Sequence, residues 1–225
     1  MMPHQAARIA LLLTLAGLFE TAAVAPAAHA QPSLIVPLDA SRPITYSIAE
    51  GEPGSEYRAA DRELAAWAFD AWRRAAEGAL RLEAAAEAEA LVRIYFVPAS
   101  AGQYGEMRPL EIDGRRGAAV YIRPDVRALG PDIARAATDD PLLRDTIVYL
   151  TCLHELGHAL GLVHTSNYDD IMYFFGYGGD ITAFFGRYRE RIESRSDIAA
   201  VSGLSEGDVA QLGALYGASR SLAHP

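Results

Sequence analysis

His154-Glu155-Leu156-Gly157-His158-Ala159-Leu160-Gly161-Leu162-Val163-His164 is the stretch on which both the fold and the chemistry of this chain turn. His154 and His158 are four residues apart, so on a helix they stand one turn above the other and can grip one ion. Glu155 sits beside the pair, close enough to hold a water without being a ligand. Gly161 accepts the left-handed conformation cheaply and ends the helix, and the chain then brings back His164 as a third nitrogen. Three protein ligands with one position left for water describe a catalytic zinc site rather than a structural one. The reading therefore assigns His154, His158 and His164 to a single catalytic Zn2+ and Glu155 to the base, with Gly161 in support.

A bare HExxH is a weak signal, but the extended form fixes five positions and puts its glycine where the helix must break. As solvated helix-face residues, three histidines and a glutamate would have converged by accident. Of the six histidines, His4 and His29 lie in the N-terminal leader and His224 at the far end, so the remaining three are those of the motif. The sole cysteine, Cys152, precedes His154 by two residues and points off the histidine face, as a small core residue. With one cysteine, no intramolecular disulfide can form.

Working outward, Ile44 to Ile48 alternates like a strand. From Tyr57 to about Ala79, Leu64, Trp67, Ala68, Ala71, Trp72 and Ala75 recur at helical spacing. Leu80 to Ala84, Leu91 to Pro98 and Ala118 to Arg123 read as three more strands, with a loop rich in glycine and charge over Gly102 to Gly117. Leu142 to Leu160 is the longest helical candidate. Leu204 to Gly217 is the last, with Ser205 and Asp208 near a capping box and Gly217 placed to close it in a left-handed conformation. The expected architecture is α+β: helices packed on one twisted, mixed sheet, with the long site-bearing helix and a C-terminal helix.

The 225 residues suffice for one well-packed domain, and 51% apolar with 22% charged residues is ordinary for a globular protein. A formal net charge of −9 argues against a nucleic-acid partner, which needs a basic face. All twenty basic residues are arginine, a matter of coding bias. Arg8, the eleven-residue apolar run Ile9 to Phe19 and the Ala28-His29-Ala30 tract describe a secretory signal peptide over 1–30. The run is short for a permanent span. The expected mature chain is residues 31–225, secreted or periplasmic, one domain and monomeric, with no membrane contact after cleavage.

These residues resemble the metzincin zinc peptidases, and within them the matrixins. The zinc motif matches in full, and Met172 in Asp170-Ile171-Met172-Tyr173 resembles the family's Met-turn, an apolar floor under the metal. The resemblance implies a zincin fold and a peptide or protein substrate. Thr165 stands where matrixins usually carry serine, and Tyr173 to Gly203 is longer than the family usually has there, a 173–203 insertion. That segment carries Phe174, Phe175, Tyr177, Phe184, Phe185 and Tyr188 and an arginine cluster, with a helix expected over Asp180 to Ser194. In the family this region lines the pocket for the residue after the scissile bond, although aromatics at helical spacing also serve plain packing. No histidines remain for a second, structural zinc. Asp113-Gly114 and Gly117 leave Ca2+ open without supporting it, since the mixed charges around them suit an ordinary polar turn equally.

The implied activity is hydrolysis by a zinc-activated water with Glu155 as general base. Ala118 to Arg123 is the strand expected to pair with an extended substrate, and Tyr173 or Tyr177 are candidates to assist the oxyanion. Two other readings are a peptidase devoted to one partner and a catalytically silent zinc-binding module; an intact Glu155 speaks against the second.

Overall fold

A five-stranded sheet packs two long helices against its apolar face, and the reason lies in where its side chains alternate. The computed structural model describes residues 36–101 and 103–217. The signal-peptide segment 1–30 and His224 lie outside the described residues. Strands β1 (Ile44–Gly51), β2 (Leu82–Ala84), β3 (Val92–Phe96), β4 (Gly105–Ile112) and β5 (Arg115–Ile122) run in the order β2-β1-β3-β5-β4. All pairings are parallel except β4 on β5, an antiparallel edge strand of the kind mixed sheets often carry. Along β3, Val92, Ile94 and Phe96 are buried while Arg93 and Tyr95 lie half-exposed. Ile44 and Ile48 of β1, with Ala118, Val120 and Ile122 of β5, complete the apolar face.

Helix α1 (Asp61–Ala75) covers that face with Leu64, Ala68, Phe69, Ala71 and Trp72, and Phe69 stacks on Tyr46 of β1 at 4.0 Å. Burying each large side chain contributes roughly 1.5–3 kcal/mol, against under about 1 kcal/mol for a half-exposed pair such as Arg73–Asp70. Packing therefore outweighs that surface pair in holding α1. The short helix α2 (Pro131–Asp139) leads into α3 (Pro141–Leu160), each with proline in its first turn. Asp140 caps α3 by accepting from the Leu142 and Leu143 N–H groups at 3.0 and 3.3 Å. The indole of Trp72 donates to the Leu153 carbonyl at 2.9 Å, and buried Arg144 of α3 pairs with buried Asp61 of α1. These contacts lock α3 against α1. Helices α4 (Ile181–Arg189) and α5 (Glu206–Tyr216) follow. Among the described residues no helix is long and apolar enough to cross a membrane.

The structure corrects the sequence reading in several places. Gly105–Ile112 is a strand, not a loop; Gly105, Pro109 and three charged residues masked it, and Pro109 is tolerated because β4 is an edge. Asp113 (φ 51°) and Gly114 (φ 71°) form the two-residue turn joining β4 to β5, one of the two alternatives open for that stretch. Strand β5, expected to receive substrate, is enclosed by β3 and β4; the edge on that side of the sheet belongs to β4, with β2 at the other. Helix α1 starts at Asp61 and ends before Glu77 and Gly78, whose positive φ values break it. Helix α4 is shorter than expected, ending at Arg189, and α2 was missed as a helix. The Ser205–Asp208 capping box forms, but Gly217 has φ −71° and does not adopt the left-handed close.

Candidate metal centre

Helix α3 is buried along nearly its whole length, and its last two turns carry His154, Glu155 and His158. Gly161, at φ 105°, ends it: the Gly161 N–H donates to the His158 carbonyl at 3.0 Å and the Leu162 N–H to the Gly157 carbonyl at 2.9 Å. This is the two-bond glycine cap in which only a residue without Cβ is comfortable. A Cβ there would also press on the Pro37 backbone. Beyond the cap the chain reverses and returns His164 to the two helical histidines. One ring nitrogen from each of the three lies within 4.8 Å of the others, with His158 Nε2 and His164 Nε2 3.1 Å apart. Among the described residues, only these three bring metal-ligating atoms together in this way.

The opposite ring nitrogens of the helical pair are engaged. His154 Nδ1 bonds to the Ile171 carbonyl at 2.6 Å and His158 Nδ1 to the Leu162 carbonyl at 3.0 Å. A carbonyl acceptor puts the proton on Nδ1 and leaves Nε2 as a lone pair. Burial also pushes the rings down, His154 to about 3 and His158 to about 4, with His164 lowered as well. All three are therefore neutral near pH 7, the state a metal requires. Three neutral imidazoles with no carboxylate among them fit zinc with an open fourth position.

Glu155, the residue after His154 on the same helix, is buried and meets the start of β4. A Cβ on Gly105 would overlap the Glu155 carboxylate, so glycine is what lets the strand start lie over this side chain. Burial, with the nearby charge of Glu106, raises its carboxyl to about 8, and Arg123 pulls in the opposite direction.

Met172 is fully buried beneath α3, where a Cβ on Gly157 would strike its Sδ. Its turn is tied on both sides. The Thr165 N–H donates to the Met172 carbonyl at 2.9 Å and the Phe174 N–H to the Thr165 carbonyl at 3.2 Å. From below, buried Asp208 accepts from the N–H groups of Ile171 (2.8 Å), Met172 (3.2 Å) and Ser205 (2.8 Å). The α5 capping box was legible in the sequence; the second use of its carboxylate, as the support of the Met172 turn, was not. Gly105 was likewise missed, having been read as loop.

The rest of the aromatic segment divides in two. Phe184, Phe185 and Tyr188 of α4 are buried in the core, which is packing. Three of its four arginines are ion-paired: Arg187 with Asp169 (2.6 Å), Arg189 with Asp140 (2.7 Å), and Arg195 with Glu63 (2.6 Å) and Asp145 (3.0 Å), while Arg191 lies over the Tyr188 ring. Phe174 and Tyr177 stay exposed beside the histidines, and Phe174 stacks on His164. The hydroxyl of Tyr173 donates to the Gly178 carbonyl at 3.0 Å, and Tyr177 packs edge-on against Phe174.

A family model described as matrixin, peptidase M10, matches residues 39–181, well over half of the chain. The chain belongs to the matrixin family. It is thus a metalloendopeptidase domain whose histidine triad suits the catalytic zinc of that family. No curated protein sequence matches it. The family match ends at Ile181, the first residue of α4, leaving the rest of the aromatic and arginine-rich segment beyond it.

Proposed function

We propose that this matrixin is a secreted endopeptidase cutting extended segments of protein substrates, with His154, His158 and His164 as zinc ligands and Glu155 as general base. The observation that carries the reading is the meeting of the three histidine nitrogens at the end of the helix that also carries buried Glu155. Zinc bound there supplies a Lewis acid that polarises the scissile carbonyl and brings the pKa of water toward neutrality. Glu155 takes the proton from the attacking water and delivers it to the leaving amine. Gly161 sets the return of His164, and Met172 supports the ligands from below. The free edge of β4 offers its N–H and C=O groups to a peptide strand, and Gly105 brings that edge to Glu155.

On this reading residues 1–30 export the chain, residues 31–225 form the working domain and monomer, and 173–203 is an insertion at the rim of the site. Mature protein recovered outside the cytoplasm should begin at Gln31 on N-terminal sequencing. For the chemistry, Glu155→Gln should keep zinc near one per chain while chelator-sensitive casein cleavage falls to background. Cleavage persisting in that variant would remove Glu155 from the mechanism; zinc without cleavage in the wild type would favour the silent binding module.

A further inference from the structure

The three zinc ligands are not held alike. His154 and His158 each have a backbone carbonyl on Nδ1, at 2.6 and 3.0 Å. Among the described residues no protein group takes that role for His164, whose one ring hydrogen-bond contact is Nε2 against His158 Nε2. It also stands beyond the helix, in a loop, and is the least buried of the three. What faces its ring is Phe174, stacked at 4.8 Å between centroids and 26° between planes.

Phe174 is itself fixed. Its N–H bonds to the carbonyl of Thr165, the residue after His164, so the two rings are carried by directly hydrogen-bonded backbone. Tyr177 closes on it edge-to-face at 5.5 Å. Gly176 leaves the space the ring occupies, since a Cβ there would run into the Phe174 ring edge. Gly176 has no positive φ, so its lack of a side chain answers to that ring rather than to backbone strain. A phenylalanine 45% exposed is also a poor contributor to folding, which makes its ordered setting the more telling.

We propose that Phe174 is a positioning residue for the third zinc ligand, its ring face setting the His164 plane in place of the carbonyl that orients each of the other two. The proposal rests on the triad holding zinc, and wild-type zinc binding is the control that separates the two. Outer-shell partners of metal-bound histidines typically contribute 10- to 100-fold to affinity. Phe174→Ala should therefore raise the zinc dissociation constant, measured by chelator competition, roughly tenfold. It should also shift the visible bands of the cobalt(II)-substituted protein, because the ligand plane relaxes. Phe174→Tyr, which keeps the face, should restore both; Phe174→Leu, which keeps apolar bulk without a face, should not. Gly176→Val should mimic Phe174→Ala by displacing the ring, and the double variant should be no worse than either single one. Unchanged zinc affinity and cobalt spectrum in Phe174→Ala would overturn the proposal. So would full rescue by leucine, or additive losses in the double variant. Failure of the wild type to bind zinc would instead strike the zinc-site reading beneath it.

Discussion

From His154 to Met172 the ordering contacts are backbone hydrogen bonds and one buried carboxylate, whereas from Phe174 to Gly203 they are aromatic faces and arginine pairs near the surface. The first region contains the two-bond cap at Gly161, the carbonyl anchors of two ligands, and Asp208 under the Met172 turn. The second is fastened by Arg187, Arg189 and Arg195, all part-exposed, and by Phe184, Phe185 and Tyr188 inserted into the core. Backbone bonds and buried carboxylates have few alternative geometries, while exposed ion pairs contribute little and re-form easily. A metal centre needs the former. A rim that selects among peptides can use the latter, and His164 with Phe174 is where the two styles meet.

The contrast is broken most directly at Asp208. Replacing it with alanine strips an acceptor from three N–H groups, those of Ile171, Met172 and Ser205, in a buried setting. At about 1–3 kcal/mol per stranded donor, the loss should be on the order of 3 kcal/mol or more in urea unfolding. Zinc affinity should drop with it, because the Ile171 carbonyl that orients His154 belongs to the same turn. A cost below about 1 kcal/mol would mean the turn stands without its support, and the contrast between the regions would collapse.

Second in size is the pH dependence of the metal-free protein, where the site's own groups pull in opposite directions. Glu155 is raised from 4.5 to about 8, so between those values the unfolded chain gives up a proton that the native state keeps, and stability falls as pH climbs. His154 and His158 are lowered from 6.5 to about 3 and about 4, so their contribution is complete above 6.5 and disappears as pH falls. Below 6.5 the histidines outnumber the single carboxyl, and above it only Glu155 still acts. In excess chelator the urea midpoint should therefore peak near the ordinary histidine pKa, with an alkaline limb of on the order of 1 kcal/mol per pH unit. Glu155→Gln should flatten that limb and leave the acid one. An alkaline limb equally steep in the glutamine variant would place its origin elsewhere.

How much of this was legible beforehand follows the same division. The 154–164 spacing, Gly161 and Met172 were readable because each is a local rule: a four-residue helical step, a left-handed glycine, a fixed offset to methionine. The helical stripe of α1 and the Ser205 cap were readable for the same reason. Strand β4 was not, because Pro109 and the charges of Glu106, Arg108 and Glu111, which fall on both faces, suit an edge strand and equally suit a loop. The enclosure of β5 was hidden with it. Asp208 beneath Ile171, Gly105 over Glu155 and Phe174 against His164 are contacts between segments, and no periodicity encodes them. The arginine cluster reads in sequence as one feature, yet in the structure it separates into pairings of Arg187, Arg189 and Arg195 to Asp169, Asp140, Asp145 and Glu63 and an Arg191 laid over Tyr188.

Gly161 sharpens the comparison from the helix end. Alanine there must hold φ near 105° and press against the Pro37 backbone, so Gly161→Ala should cost about 1–2 kcal/mol from the left-handed strain alone. Because His164 follows three residues later, the same variant should weaken zinc binding more than its stability loss predicts. Equal stability with wild-type zinc affinity would show that the return of His164 does not depend on this cap.

The smallest effects belong to the rim, and their smallness is the point. Arg195 links Asp145 of α3, Glu63 of α1 and the carbonyl of Ala60 just before it, and lies over Trp67 at 4.8 Å. Four partners around one part-exposed guanidinium make a network, so Arg195→Ala should lower stability by about 1 kcal/mol. Arg187 pairs with Asp169, whose side chain is 80% exposed, and covers the Tyr168 and Phe184 rings. Water competes for that pair, so Arg187→Ala should move the urea midpoint by no more than about 0.5 kcal/mol. Neither change should alter zinc affinity by more than about twofold, since neither arginine is bonded to the Met172 turn or to a ligand carbonyl. Cleavage preference across a peptide library is where they should register instead, because both arginines fasten the segment that follows Phe174. If either variant lost zinc as readily as Asp208→Ala, the rim and the metal centre would be one cooperative structure rather than two.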